Sequence, residues 1–252
     1  MNNESDKFLQ IVTDIYQRIT HENPQLDSAA QVIAKSIADG NIIHVIGPGG
    51  HSNMAAEEVI WRAGGLAPLN AILDAGTNLI HGAKRSNIIE RMPGYAIRVF
   101  DSYRLGQKPG EVIIIANAYG INTMTIDSVL EAKKRKMVSI GITSTGFADQ
   151  VPKNHPARHE SGLNLYQEVD YFINTFMPYG DAAIEIDGLE QKTAPTSTLS
   201  NVYAINLLLL NAVKKIKEMG INPPLWMSAN LPGGDTANKI LEEAYFSRIK
   251  HL

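Results

Sequence analysis

Apolar residues follow a helical period in the first part of the chain. Phe8, Ile11 and Ile15 recur at intervals of three and four residues, which places them on one face of a helix. Pro24 interrupts the pattern, because proline lacks the backbone donor that a helix interior needs. Residues 1–40 are therefore predicted to be an N-terminal arm of one or two helices.

Beyond this arm, the apolar residues form short continuous runs that are rich in β-branched side chains. Such runs are typical of strands that are covered on both faces, as in a parallel sheet. Strands are predicted at residues 42–46, 69–73, 111–116 and 137–143, with two further candidates at 171–174 and 182–186. Helices are predicted at residues 51–63, 85–91, 94–103, 123–135, 198–219 and 236–249.

The alternation of strands and helices predicts an α/β fold, a doubly wound parallel sheet with helices on both faces and C-terminal helices. The chain is expected to form a single domain over residues 1–252, with its α/β core at 41–252. The helix at 198–219 has an almost entirely apolar centre, from Ala204 to Leu210. One sheet covers only one side of a helix, so a homodimer or homotetramer is expected to cover another side.

Composition and charge exclude several classes of protein. The 252-residue chain has no cysteine, which excludes disulfides, thiolate metal sites and cysteine nucleophiles. Its formal net charge is −3, with lysine and arginine spread along the chain, so no nucleic-acid partner is expected. No run approaches the ~20 apolar residues of a membrane span, and the N-terminus does not resemble a signal peptide. No membrane partner is expected, and a cytoplasmic location is predicted.

A glycine-rich turn follows the first predicted strand. It runs Gly47-Pro-Gly-Gly-His-Ser52 and opens a helix. The first amides of a helix have no internal partner and lie at the positive end of its dipole, so this turn is a candidate anion site. Gly49 and Gly50 let a ligand approach the backbone where a Cβ would clash. His51 and Ser52 add polar side chains at the edge of the turn.

A second polar turn follows the strand at 111–116. Ligands of doubly wound sheets bind outside the carboxyl ends of the strands, so this turn and the end of the strand at 137–143 are expected to join the first turn. The candidate ligand-binding residues there are Asn117, Tyr119, Gly120, Asn122, Thr123 and Ser144.

These two turns resemble those of the SIS (sugar isomerase) domain family, whose fold is a flavodoxin-like αβα sandwich that binds phosphosugars. The first turn is similar to that of the phosphoheptose isomerases, and the run from Val112 to Thr123 resembles the second SIS turn. Residues 159–252 resemble small bacterial SIS proteins that are described as phosphosugar-binding. The resemblance extends over residues 40–252 and implies a flavodoxin-like sheet with a sugar or sugar-phosphate ligand.

Aldose–ketose isomerisation needs a base and a group that opens the sugar ring. Phosphoheptose isomerases carry Ala-Glu-Glu on the helix after the first turn, where a glutamate is the base, so the resemblance implies this role for Glu57 or Glu58. The two are adjacent and point about 100° apart, so only one can face the site. Histidine titrates near neutrality; His51 is the first candidate for ring opening, followed by His81 and His159. Neither a metal ion nor a cofactor is expected.

One difference from the family affects the expected ligand. The second SIS turn usually has serines before its glycine, whereas this chain has Asn117-Ala-Tyr119 before Gly120. Backbone amides can still bind an anion. The predicted function is an aldose–ketose isomerase for a phosphorylated or otherwise anionic sugar, with an unphosphorylated sugar also open. The alternatives are a non-catalytic phosphosugar-binding module and a lyase or etherase acting on an amino-sugar phosphate.

Overall fold

Five parallel strands form the central sheet of the computed structural model, which describes residues 3–252. They are β1 (Ile43–Ile46), β2 (Leu69–Ile72), β3 (Val112–Ala116), β4 (Val138–Thr143) and β5 (Tyr171–Asn174). Their order across the sheet is β2-β1-β3-β4-β5, and all neighbours are parallel. This is the flavodoxin-like order, so the predicted doubly wound α/β fold is confirmed.

Helices cover both faces of this sheet. Over residues 3–252 they are α1 (Glu4–His21), α2 (Leu26–Ala38), α3 (Asn53–Val59), α4 (Ala83–Ile89), α5 (Tyr95–Ser102), α6 (Thr123–Lys134), α7 (Thr145–Ala148), α8 (Leu165–Glu168), α9 (Ser197–Glu218) and α10 (Gly234–Tyr245). A one-turn 3-10 helix, Leu79–His81, precedes α4. Pro24 separates the two helices of the N-terminal arm. None of the helices described here is long and apolar enough to cross a lipid bilayer.

The side chains of β3 belong alternately to two hydrophobic clusters, one on each face of the sheet. Ile114 packs in a cluster with residues of α1, α2, α3 and α9, whereas Ile113 and Ile115 pack with residues of α5 and α6. Every residue of β3 is buried, as expected for a parallel strand with helices on both sides. Because β1 and β3 are neighbours in the middle of the sheet, the turns that follow them lie side by side.

The apolar centre of α9 is covered largely from within the chain. This helix packs against α1, α2 and α3, and its Ile205 and Leu208 are fully buried. The two helices of the N-terminal arm thus cover a side of α9 that the central sheet leaves free. Leu210 faces outward, with 57% of its surface exposed. The homo-oligomer stays a prediction.

Two segments differ from their predicted structure. The segment at 182–186 contributes β6 (Ala182–Ile184), which pairs antiparallel with β7 (Thr193–Pro195) in a separate two-stranded sheet. Within β6 only Ile184 is buried, so this strand lacks the burial on both faces that the central strands have. The helix predicted at 51–63 is shorter, since α3 ends at Val59 and Trp61 adopts a left-handed conformation with a φ of 51°.

Candidate functional site

A cleft of about 430 Å³, lined mostly by residues with polar side chains, opens where β1 and β3 end. Its walls come from the turns after these strands, from α4 and the residue that follows it, and from the start of α9. It is lined by Gly50, His51, Ser52, Leu79, Ala83, Ser86, Asn87, Glu90, Asn117, Ala118, Tyr119, Asn122, Asp181, Pro195, Ser197, Thr198 and Asn201. The cleft lies where doubly wound sheets bind their ligands.

The glycine-rich turn after β1 folds tightly against the start of α3. A Cβ on Gly47 would lie 1.9 Å from the Ser52 carbonyl oxygen, far inside contact distance. The Gly49 carbonyl accepts hydrogen bonds from the amide of Asn53 at 3.1 Å and from its side-chain Nδ2 at 2.8 Å. The turn therefore needs a glycine at its first position, and it presents Gly50 and Ser52 to the cleft.

The side chain of Asn117 joins the turn after β1 to the turn after β3. Its Oδ1 accepts hydrogen bonds from the amides of Tyr119 (3.1 Å) and Gly120 (2.8 Å). Its Nδ2 donates to the Pro48 carbonyl (3.0 Å) and to the Ser52 hydroxyl oxygen (3.1 Å). One buried carboxamide thus fixes the two turns relative to each other.

Asn117→Asp is expected to destabilise the fold and weaken ligand binding. Aspartate retains an acceptor for the Tyr119 and Gly120 amides but has no donor for the Pro48 carbonyl. A buried polar group that loses its partner costs about 1–3 kcal/mol. Urea unfolding should show a loss of that size at neutral pH, whereas Asn41→Asp, the same change at an exposed position, should have little effect. Equal unfolding free energies for the two variants would contradict this role of Asn117.

Glu90 brings a carboxylate into the cleft immediately after α4. The carboxylate lies against the turn after β1: the Gly50 amide is near enough to influence its pKa, and a Cβ on Gly49 would lie 2.7 Å from its Oε2. Burial raises the pKa of the Glu90 carboxyl above its usual range, against the smaller opposing effects of the Gly50 amide and the Arg91 charge. A carboxyl group of this kind is suited to general acid–base chemistry.

Glu90 carries no local signal in the sequence that could have identified it. It lies in the irregular region between β2 and β3, neither at the end of a strand nor within a glycine turn. Its backbone carbonyl accepts a hydrogen bond from the Met124 amide at 2.9 Å, which ties it to the first turn of α6. The contact joins residues that are far apart in the sequence. No regular spacing of residue types in the sequence therefore indicates it.

The start of α9 forms a further wall of the cleft. The Asp181 carboxylate accepts hydrogen bonds from the amides of Thr196 (2.8 Å) and Ser197 (2.7 Å) and from the Ser197 hydroxyl (2.8 Å). Asn201 follows one turn along α9, is only 3% exposed, and its Oδ1 has no hydrogen-bond partner among residues 3–252. From the sequence alone, Asp181 is expected to be an ordinary loop residue. Asn201 is expected to be an ordinary polar residue of a long helix.

Tyr119 and His51 add groups that can exchange protons. Burial raises the pKa of the Tyr119 phenol, and the carboxylates of Asp181 and Glu90 raise it further. The phenol therefore stays protonated at neutral pH and can donate. Its ring packs against Phe147, with centroids 4.4 Å apart. His51 is exposed at the edge of the cleft.

Part of the predicted set of residues lines the cleft, namely Gly50, His51, Ser52, Asn117, Tyr119 and Asn122. Four others lie outside the lining and are buried, namely Gly49, Gly120, Thr123 and Ser144. Gly120 has a φ of 65°, and a Cβ there would lie 2.4 Å from the Thr143 Oγ1. The Ser144 hydroxyl is fully buried and donates to the Met177 carbonyl at 2.8 Å, so it is engaged within the chain.

Glu57 and Glu58 both lie outside the lining of the cleft. Glu57 is exposed, and its Oε1 accepts a hydrogen bond from Asn78 Nδ2 at 2.6 Å. Glu58 faces the groove between α3 and α9, where it pairs with Arg62 at 3.2 Å and accepts from Asn206 Nδ2 at 3.2 Å. A catalytic role for either glutamate stays a prediction.

His81 and His159 also lie outside the cleft lining. His81 is exposed at the end of the 3-10 helix. The Nδ1 of His159 accepts a hydrogen bond from the Ser161 amide at 3.1 Å, and its Nε2 lies 3.2 Å from an oxygen of the Asp127 carboxylate. His159 therefore holds its loop against α6. In the described part of the chain, no three histidine, aspartate or glutamate side chains are grouped as a metal site requires.

Known proteins are similar to this chain over most of its length. The family model described as SIS domain matches residues 7–144. A UPF0309 protein of Halalkalibacterium halodurans is 35% identical over 250 residues, which span 99% of this chain and 95% of that protein. A UPF0309 protein of Caldanaerobacter subterraneus is 35% identical over 248 residues, which span 96% and 98% of the two chains.

A phosphoheptose isomerase from Francisella tularensis has a similar fold. The two structures match with a TM-score of 0.53 over 83% of this chain and 96% of that one. Their sequence identity is 12%, so this likeness establishes the fold alone.

Proposed function

The chain belongs to the SIS domain family, and we propose that it is a sugar isomerase whose base is Glu90. The observation that carries the proposal is the Glu90 carboxyl group itself, which lies in the cleft with a raised pKa. Interconversion of an aldose and a ketose needs a base whose pKa is close to the working pH and a donor for the carbonyl oxygen. The Tyr119 phenol, in the same cleft, is the proposed donor.

In the proposed reaction, Glu90 accepts the proton from C2 of the open-chain aldose while Tyr119 donates its phenolic proton to the C1 carbonyl oxygen. The electron pair of the C2–H bond becomes the double bond of a 1,2-enediol. The phenolate then takes the proton of the C2 hydroxyl as Glu90 returns its proton to C1. This leaves a ketose and restores both side chains. His51, at the edge of the cleft, is proposed to assist ring opening beforehand.

The family resemblance supports a different base, since it implies this role for Glu57 or Glu58. Both belong to α3, and each is hydrogen-bonded outside the cleft, to Asn78 and to Asn206 respectively. Glu90 is preferred because its carboxylate already lies among the groups that would hold a sugar. Replacement of each of the three glutamates separates these assignments.

The phosphoheptose isomerase with a similar fold acts, by its name, on a phosphorylated sugar. This likeness and the SIS domain support a phosphosugar-related ligand for the present chain. The hydroxyl and carboxamide side chains of the cleft suit the hydroxyl groups of any sugar. A cytoplasmic location and a homo-oligomeric assembly are further parts of the proposal.

Exchange of carbon-bound protons with deuterated water tests the proposed reaction. The protein is incubated in D₂O with aldoses, ketoses and their phosphate esters, and proton NMR follows the C2 proton and the appearance of product. At least one sugar should lose its C2 proton or convert to its isomer. Thermal stabilisation by a sugar that undergoes neither change would favour the non-catalytic binding module. Neither stabilisation nor exchange would contradict sugar chemistry altogether.

A further inference from the structure

A second cavity, of about 290 Å³, adjoins the cleft and is called the side cavity below. The two spaces share four lining residues, namely Asn87, Glu90, Tyr119 and Asn122. Arg91, His155 and Tyr179 are among the residues that line the side cavity alone. It therefore begins beside the two groups that are proposed to move protons, and a ligand that spans both spaces can contact them.

The side cavity carries a cation that the cleft lacks. Glu90 and Asp181 bring two carboxylates to the cleft, and no lysine or arginine within residues 3–252 lines it. Arg91 lines the side cavity, and its guanidinium makes no hydrogen bond or ion pair with another residue of that range. A planar guanidinium with unused N–H groups matches the oxygens of a phosphate group, which it can bind through two parallel hydrogen bonds.

His155 and Tyr179 add two further donors to the side cavity. The Nδ1 of His155 accepts a hydrogen bond from the Ala157 amide at 3.1 Å. Because a backbone amide can only donate, the proton of the neutral ring lies on Nε2, which is then a donor. The Tyr179 phenol is a third donor, whereas Glu90 is the one carboxylate on the described lining. This balance of donors over carboxylates suits a phosphate group.

Backbone amides around the cleft are less available to a phosphate. In the turn after β3, the Tyr119 and Gly120 amides donate to Asn117 Oδ1 at 3.1 and 2.8 Å. At the start of α9, the Asp181 carboxylate accepts hydrogen bonds from two amides, at 2.8 and 2.7 Å. A phosphate at either place would have to displace an acceptor that the chain itself supplies, whereas the Arg91 guanidinium has no such acceptor to give up.

We propose that the side cavity holds the phosphate group of a phosphosugar, with Arg91 as its main contact and His155 as a second donor. This inference rests on the proposed function and assigns the phosphate to a place within the same site. The reacting carbons of the sugar then lie in the cleft, beside Glu90 and Tyr119, which line both spaces. Because residues 90 and 91 are consecutive, one segment of backbone positions both the base and the phosphate contact.

Binding of sugars with and without a phosphate group tests this subsite. The probes are D-ribose, D-fructose, D-glucose and D-glucosamine, each compared with its terminal phosphate ester by calorimetry. Arg91→Met removes the charge and keeps an unbranched side chain, so it should weaken ester binding by about ten- to a hundredfold, the value of a charged hydrogen bond. Binding of the parent sugar should change little. Arg91→Lys keeps the charge and should recover part of the ester affinity.

Arg98→Met is the matched control for Arg91→Met. Arg98 is also exposed, belongs to α5 and lines neither the cleft nor the side cavity, so this variant should bind every ester normally. Added sodium chloride provides a second readout, since salt screens exposed charges. It should weaken ester binding to the unmodified protein more than ester binding to Arg91→Met. Unfolding temperatures of the variants show that the folded state is retained.

The two proposals fail in different ways. If the double variant Arg91→Met/His155→Ala folds and binds the esters as tightly as the unmodified protein, the phosphate lies elsewhere, and the proposed isomerase still stands. Equal losses for ester and parent sugar would also overturn the subsite, because a phosphate contact acts on the ester alone. If no sugar and no ester binds or exchanges its C2 proton, the proposed function is wrong, and the inference falls with it.

Discussion

Glu90→Gln is expected to lower turnover by about 10²–10⁴-fold or more, while ligand affinity changes little. Glutamine has nearly the same size and keeps a side-chain oxygen beside the Gly50 amide, but it cannot take up a carbon-bound proton. The measurements are the rate of C2 proton exchange in D₂O and the dissociation constant from calorimetry. The substitution should thus lower kcat and leave the dissociation constant of the ligand nearly unchanged.

The matched controls for this variant are Glu57→Gln and Glu58→Gln. Both glutamates are on α3 outside the cleft lining, so each variant should keep most of the activity. If either variant loses turnover while Glu90→Gln retains it, the base lies on α3 and the proposed role of Glu90 is wrong.

The pH dependence of the reaction gives an independent check on Glu90. A base acts in its ionised form, and burial raises the pKa of this carboxyl. Activity should therefore rise with pH through a value above the ordinary glutamate range of about 4.3. This acid limb should disappear in the residual activity of the Glu90→Gln protein.

Gly47→Ala is expected to destabilise the fold by more than about 3 kcal/mol, at the upper end of the cost of overpacking. The added Cβ would lie 1.9 Å from the Ser52 carbonyl oxygen and 2.7 Å from the Asn53 amide nitrogen. Both are backbone atoms, so no side chain can rotate away. For a chain of this size each 1 kcal/mol lowers the unfolding temperature by about 2–4 °C, which calorimetry detects readily.

Gly146→Ala is the control for this second variant. A Cβ at that position would meet its nearest neighbour, the Ser144 Oγ, at 3.8 Å, which is ordinary contact distance. The residue lies in α7, where alanine is the better helix former. Equal unfolding temperatures for the two alanine variants would show that the turn after β1 can adopt another backbone path.

The central sheet was predictable because strands buried on both faces appear in the sequence as continuous apolar runs. Four consecutive residues of the run at 111–116 are β-branched, and every residue of the resulting strand β3 is buried. The pair β6 and β7 was harder to predict. Each of these strands has only three residues, and in β6 only one side chain is buried. So short a run shows no hydrophobic pattern that could indicate which sheet the strand joins.

The turns of the site were predictable, whereas its acid–base group was not. Glycines marked the turn after β1, and proximity in the sequence then favoured Glu57 and Glu58. The carboxylate that lines the cleft belongs instead to Glu90, directly after α4. The packing of α4 against the rest of the fold places it there. Asn201 comes from within α9, where a polar residue usually faces solvent.

The hydrogen bonds of Asn117 have a consequence for the entropy of binding. They connect turns that are far apart in the sequence, and together with Asp181 they order three walls of the cleft before any ligand arrives. Ordering a loop on binding reduces affinity, because backbone and side-chain freedom is lost at that moment. In this protein that freedom is already lost on folding. The cleft is preorganised, and a small ligand with few contacts can bind it without inducing a new loop structure.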